Sequence, residues 1–227
     1  MLQPGFLELI VFAAAMAAAL WLRPWRLLAP GGDYSLPAPL FVLGAAVLLL
    51  WLGIAPTTSP MLKLAGAQLA LLALGWPLAV LLYTGVAAAG LLLGPAADVV
   101  GAAVWYGFVP ITLSLAAGRL VRSVTNAHPA GYLLGRGLLV PFLATVAAGC
   151  IAHGMTGAFD RLGEAAVPSL VLVALIDAML TAQAVLLLVL ASPRSLATWS
   201  DRLYLRRPPP PAARPFTSPP APSGARR

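Results

Sequence analysis

Long apolar runs, separated by short connections rich in proline and glycine, dominate this chain. A transmembrane helix needs about 20 consecutive apolar residues and satisfies its own backbone polar groups in lipid. The apolar runs cover about residues 5–22, 37–55, 64–94, 99–118, 130–152 and 167–191. This pattern predicts an all-α fold, a polytopic transmembrane helical bundle of six to seven spans.

The third apolar run decides the number of spans. Residues 64–97, LAGAQLALLALGWPLAVLLYTGVAAAGLLLGPAA, carry no charge and exceed the length of one ordinary crossing. Pro77 lacks a backbone donor and its ring clashes with the carbonyl of Ala73, which favours a helix break at Gly75-Trp76-Pro77. We expect two short helices that meet there, with the corner buried among other helices or lining a cavity. One long kinked helix is the alternative.

The positive charges indicate the orientation, because cytoplasmic loops carry an excess of Lys and Arg. With seven spans the N-terminus is outside, and only Lys63 and Arg161 lie in outer loops. With six spans the N-terminus is inside, and Arg23 and Arg26 move to the outer side. The seven-span arrangement agrees better with the rule. We therefore expect a multi-pass inner-membrane protein with its N-terminus outside and its C-terminal tail in the cytoplasm.

The chain divides into a transmembrane helical domain, residues 1–205, and a tail, residues 206–227. The tail reads RRPPPPAARPFTSPPAPSGARR. A segment of this composition cannot bury a core, and we expect it to be disordered. Its arginines are expected to be attracted to an anionic cytoplasmic leaflet, so membrane lipid is a predicted partner.

The composition argues against several classes of protein. Of 227 residues, 60% are hydrophobic and 9% are charged, whereas a soluble domain carries roughly 25% charged residues. The net charge of +7 comes from arginines at the ends of apolar runs and in the tail, which indicates membrane orientation rather than nucleic-acid binding. The sequence has no phosphate-binding glycine loop and no convincing nucleophile with a base, so we expect neither an enzyme nor a cofactor.

Polar residues inside the apolar runs are the candidate site, since such groups are costly in a membrane and often functional. Asp177 lies near the middle of the last run, in LVALIDAMLTAQAVLL. It has two open interpretations: a buried pair with Arg136 of the fifth run, or the site of a solute or ion. Gln68 is a candidate for a hydrogen bond across helices. Glu8, near the outer end of the first run, is expected to reach the interface.

The histidines do not indicate a metal site. A metal site needs several ligands that converge on one point. His153 is followed by Met155, Asp160 and Glu164, and this spacing matches no known ligand pattern. We therefore predict no metal ligands in this chain.

Four segments share an order and spacing with one family of membrane proteins. They are SPMLKLAGAQLALLALGWPLAVLL (59–82), HPAGYLLGRGLLVPFLATVAAG (128–149), LVALIDAMLTAQAVLLLVL (172–190) and PRSLATWSDRLYL (193–205). The first carries a glycine, a leucine run and Gly-Trp-Pro, and the last ends on Asp-Arg-x-Tyr-Leu. Together they resemble the CbiM-like permeases of short proteobacterial type. These permeases are the substrate-binding membrane components of energy-coupling-factor (ECF) transporters for cobalt and nickel.

The resemblance implies a bundle of about seven helices that binds a small solute or metal ion, with an ECF ATPase and a coupling membrane subunit as partners. In the metal-transporting members, a histidine beside the initiator methionine and another before the glycine of the third run bind the ion. Here the chain begins Met1-Leu2-Gln3, and Lys63 stands at the second position. The candidate substrate-binding residues are Lys63, Gln68, Arg136 and Asp177. The alternative function is a non-transporting accessory or scaffold membrane protein that keeps the fold without the metal site.

Overall fold

The computed structural model describes residues 4–24, 66–92, 96–125, 128–156, 166–191, 196 and 198. This part of the chain contains six helices and no strand. Helices α1, α2, α3 and α6 are Pro4–Trp21, Ala67–Leu74, Trp76–Gly90 and Ala166–Ala191. Helix α4 runs through three consecutive segments, Ala96–Ala102, Ala103–Phe108 and Val109–Val124, and helix α5 through two, Gly131–Leu139 and Val140–Thr156. The middle segment of α4 and the first segment of α5 are π-helical, a wider helix that often occurs at functional sites.

Three of these helices are long and apolar enough to cross a membrane: Val99–Val124, Gly131–Met155 and Ala166–Ala191. The stretches Gly5–Trp21 and Trp76–Gly90 are apolar but shorter. In the part of the chain that the structure describes, an all-helical fold with membrane-type helices is therefore confirmed, while six to seven spans stay a prediction. The run at 37–55, Lys63 and the tail 206–227 lie outside the described residues.

The third apolar run is broken at Gly75, as its sequence predicts. Gly75 has φ 79° and ψ 167° and separates α2 from α3, and Pro77 lies in the first turn of α3. A positive φ suits glycine, which has no Cβ to clash with the backbone, and proline suits a first turn because its missing N–H has no partner there. The run is thus two short helices and not one kinked helix.

The two helices on either side of this break approach the same residue of α6. Gly66, before α2, and Tyr83, within α3, both lie near the carboxylate of Asp177. A straight helix from Gly66 to Tyr83 would be about 25 Å long, so α2 and α3 bend toward each other at Gly75, and this bent pair of helices is called the α2–α3 hairpin, with Gly75 at its tip. With eight residues, α2 covers about 12 Å, less than half of the hydrocarbon core.

Helix α2 lies in the centre of the bundle. It packs against α3, α4 and α6, and seven of its eight residues are buried. A helix that is apolar on all sides is stable only when other helices cover it. The hydrophobic core accordingly forms around the hairpin, with α1 packed on its outer side through Val11, Phe12 and Ala15.

Glycines allow the long helices to approach closely. A Cβ at Gly135 would overlap Val121 of α4, and a Cβ at Gly149 would overlap Leu170 of α6. Small residues at such contacts let the backbones of membrane helices come together, and close packing then drives their association.

Helix α6 has one face toward the bundle and one away from it. Its buried residues are Ala166, Leu170, Val173, Ala174, Asp177, Ala178, Thr181 and Val185. The opposite face exposes Leu172, Leu175, Ile176, Met179, Leu180, Leu187 and Leu190. An exposed face of this size and apolarity is consistent with contact to lipid.

Candidate functional site around Asp177

Asp177 lies at the middle of α6 with only 6% of its surface exposed. Its carboxylate accepts a hydrogen bond from the backbone N–H of Gly66. A carboxylate offers about four lone-pair positions, and among the described residues this is the one hydrogen bond to the Asp177 carboxylate. The group therefore keeps capacity to bind a further donor or a cation.

The start of α2 provides a favourable environment for this carboxylate. Gly66 has φ 59° and ψ 13°, a left-handed conformation that glycine adopts without strain. This conformation begins α2 directly beside Asp177. The N-terminal end of a helix carries a partial positive charge, which stabilises a nearby carboxylate.

Gln68 connects α2 to the middle of α4. Its side chain is 1% exposed, and its Nε2 donates to the carbonyl oxygen of Pro110 at 3.4 Å. The sequence-based expectation of a hydrogen bond across helices is therefore confirmed. Gln68 lies two residues after Gly66, so this bond and the Asp177 bond fix the same end of α2 to two different helices.

Tyr83 is a member of the site that the sequence reasoning missed. It is 1% exposed, and its hydroxyl lies within electrostatic range of Asp177. Its ring packs directly on Gly107 of α4, where a Cβ would overlap it. A phenol in an otherwise apolar run was the available signal, but only the bend at Gly75 brings this residue near Asp177.

Arg136 does not pair with Asp177. Its guanidinium lies 6.0 Å from the centre of the Tyr132 ring and against Gly118 of α4. The neighbouring Gly137 lies opposite Ala182, about 7.5 Å along α6 from Asp177. Of the two interpretations of Asp177 that the sequence leaves open, the structure thus gives no support to the ion pair. Lys63 lies outside the described residues.

The C-terminal end of α2 is held by a second set of hydrogen bonds. The carbonyl of Leu72 has no partner within so short a helix, and it accepts a bond from Thr198 Oγ1 at 2.9 Å. The Tyr132 hydroxyl lies 2.7 Å from the same Thr198 oxygen. Because the Thr198 hydrogen points to Leu72, Tyr132 is the donor in that pair.

Glu8 turns into the bundle, whereas the sequence suggested that it reaches the interface. Its Oε1 accepts a hydrogen bond from Trp105 Nε1 at 3.2 Å. Its Oε2 is buried and has no partner among the described residues. The contact joins α1 to the π-helical segment of α4.

Metal-type ligands do not converge in the described part of the chain, where no group of three His, Cys, Asp or Glu side chains could hold an ion. His153 is buried near the end of α5, and Asp160 and Glu164 lie outside the described residues. Compared with models of protein families, with curated proteins and with solved structures, the chain has no significant match. The residues around Asp177 are therefore the candidate functional site.

Proposed function

We propose that this chain is an integral membrane permease that binds a small, positively charged solute or metal ion at Asp177. The observation that carries the proposal is the buried carboxylate of Asp177 at the middle of a membrane-type helix, with one backbone donor as its partner in the described residues. A charge at this depth is expensive, and intramembrane ionisable residues commonly mark a substrate or ion path.

The α2–α3 hairpin supports this proposal because it resembles the interrupted helices that form substrate sites in many transporters. Many transporters bind substrate near the membrane midplane, at helices that are interrupted there. Here the interrupted helix is α2, which begins beside Asp177 and ends at Gly75. Gln68, two residues after Gly66, and Tyr83 lie near this carboxylate, so a solute bound there would meet an acid, an amide and a phenol.

The transport system we propose is the one that the sequence resemblance implies. The chain would be the substrate-binding component of an ECF-type uptake transporter for cobalt or nickel, located in the inner membrane. The family's histidine ligands are absent, so the cargo would contact oxygen donors of this site instead. A separate ATPase and a coupling membrane subunit would supply the energy, and the exposed Arg119 and Arg122 are candidate docking residues.

A second function is favoured by the same hydrogen bond. Asp177 has a structural role, because its carboxylate accepts the Gly66 hydrogen bond that fixes the start of the hairpin. In that case the chain is a non-transporting accessory or scaffold membrane protein. A structural role needs only an acceptor atom at position 177, whereas cation binding needs the negative charge, so the two functions can be separated.

The test compares Asp177→Asn with a matched control, Gln183→Asn, on the exposed face of the same helix. Uptake of labelled cobalt and nickel is measured in cells with the gene deleted or complemented by each variant. Binding of Co²⁺ and Ni²⁺ to the purified full chain is measured by calorimetry. We expect deletion and Asp177→Asn to lower uptake and binding, with equal protein levels, while Gln183→Asn behaves as wild type. Unchanged uptake on deletion, with no ion bound to purified protein, would overturn the proposal and favour the scaffold.

A further inference from the structure

Arg136 is a half-buried cation inside a membrane-type helix, and the contacts around it are unusual. Among the described residues its guanidinium has no acidic partner and no hydrogen-bond acceptor. Its neighbours are the ring of Tyr132 and the backbone of α4 at Gly118. A cation at such a position normally pairs with an anion or a carbonyl. We therefore expect a bound ligand to accept hydrogen bonds from the five N–H donors of the guanidinium.

Helix α4 contributes a second polar group on the face that contacts Arg136. A Cβ at Gly118 would lie 2.8 Å from Arg136 Nε, so glycine leaves the room that the guanidinium occupies. Ser114, one turn earlier on the same face, is 3% exposed, and its Oγ is buried without a partner among the described residues. The carbonyl of Pro110, the usual acceptor for a helical serine at this spacing, receives Gln68 instead.

Further positive charge lies toward the end of the bundle. Arg122, one turn after Gly118 on the same face of α4, is exposed, as is Arg119. The seam between α4 and α5 therefore changes from a buried hydroxyl at Ser114, through Arg136, to an exposed arginine at Arg122. Within this seam there is no described acidic residue to neutralise these charges.

We propose that the seam between α4 and α5 binds a phosphate-bearing anion, with Arg136 as the principal ligand, Ser114 as a hydrogen-bond donor and Arg122 at the entrance. Arginine suits phosphate because its planar guanidinium donates two parallel hydrogen bonds. Arg136 is the sixth residue of the span Gly131–Met155, little more than one helical turn from its end. That depth is within reach of a lipid phosphate, and basic clefts between membrane helices commonly bind anionic head groups.

The experiment uses the purified full chain in neutral detergent. Binding of phosphatidylglycerol and of phosphatidylcholine is measured by native mass spectrometry, and inorganic phosphate is tested separately by thermal shift. The variants are Arg136→Gln, Arg136→Lys and Ser114→Ala. The control is Arg23→Gln, which removes one exposed positive charge elsewhere in the bundle.

We expect phosphatidylglycerol to bind the wild type more tightly than phosphatidylcholine, and Arg136→Gln to weaken phosphatidylglycerol binding about tenfold, the usual effect of losing charge-assisted hydrogen bonds. Arg136→Lys is expected to keep part of the affinity, Ser114→Ala to lose a few-fold, and Arg23→Gln to match wild type. If inorganic phosphate stabilises the wild type and not Arg136→Gln, while the two lipids bind equally, the ligand is a soluble phosphate.

The proposal is overturned if neither lipid nor phosphate distinguishes Arg136→Gln from wild type. It is also overturned if Arg23→Gln weakens binding as much as Arg136→Gln, because the effect would then reflect net charge alone. Should Arg136→Gln fold poorly by circular dichroism, Ser114→Ala decides, since it leaves all arginines in place. Wild-type lipid and phosphate binding by Ser114→Ala would then count against the site.

Discussion

The backbone N–H of Gly66 donates a hydrogen bond to the carboxylate of Asp177, and this contact joins α6 to the start of the α2–α3 hairpin. The opposite end of α2 is held by Thr198, which donates to Leu72. In a membrane, backbone groups at helix ends must find partners within the protein. This short helix therefore depends on groups from distant parts of the sequence at both of its ends.

Replacing Asp177 separates its charge from its role as an acceptor. Asp177→Asn retains an oxygen for the Gly66 N–H, so we expect the hairpin to stay folded. Asp177→Leu leaves that N–H without an acceptor, which costs about 1–3 kcal/mol. Hydrogen exchange of the Gly66 amide is expected to be much faster in Asp177→Leu than in Asp177→Asn. Equal exchange in the two variants would contradict the hydrogen bond.

Substitution of Gly66 tests its left-handed conformation. Gly66→Ala is expected to lower the free energy of unfolding by about 1–2 kcal/mol, because a Cβ clashes with the backbone at this φ. Gly66→Asn should be milder, since asparagine adopts this conformation more readily. The control is Gly85→Ala in α3, where a Cβ meets no atom within 4 Å and alanine should stabilise the helix by roughly 0.5–1 kcal/mol. Unfolding in SDS measures all three variants.

The contact between Tyr83 and Gly107 can be tested by overpacking. A Cβ at Gly107 would overlap the Tyr83 ring, so Gly107→Ala should force the ring away from Asp177 and destabilise the protein by about 1–3 kcal/mol. Gly101→Ala, in the preceding segment of α4, fills open space and is the matched control. Thermal unfolding and Tyr fluorescence are the measurements. A neutral Gly107→Ala would show that the ring does not pack there.

The tip of the hairpin is held to α4 by Trp76, whose Nε1 donates to Thr112 Oγ1 at 3.1 Å. Thr112→Val keeps the shape and removes the acceptor, which is expected to cost about 1 kcal/mol. Thr84→Val is the control, because the Thr84 hydroxyl bonds the carbonyl of Val80 in its own helix and no other described residue. A change in Trp fluorescence is expected in Thr112→Val and not in Thr84→Val. Identical stabilities would argue against this link.

Local features of the structure were predictable from the sequence. The break at Gly75 follows from the conformational freedom of glycine and the missing donor of Pro77, which act within a few residues. The burial of Asp177 and Gln68 follows from their position inside apolar runs. Contacts between helices were less predictable: Tyr83 was missed, Glu8 was expected at the interface, and one interpretation paired Arg136 with Asp177.

The sequence by itself determined that this is a helical membrane-type protein, where its third apolar run breaks, and that Asp177 is a polar group inside a span. Helical period, apolar length and backbone chemistry are local properties, so they can be read without knowing which helices are neighbours. The tertiary structure alone decided that Gly66 donates a hydrogen bond to Asp177, that Tyr83 lies near this carboxylate, and that Arg136 lies against Gly118. Those contacts depend on how closely helices approach, and that distance is set by the glycines and side chains of both partners together.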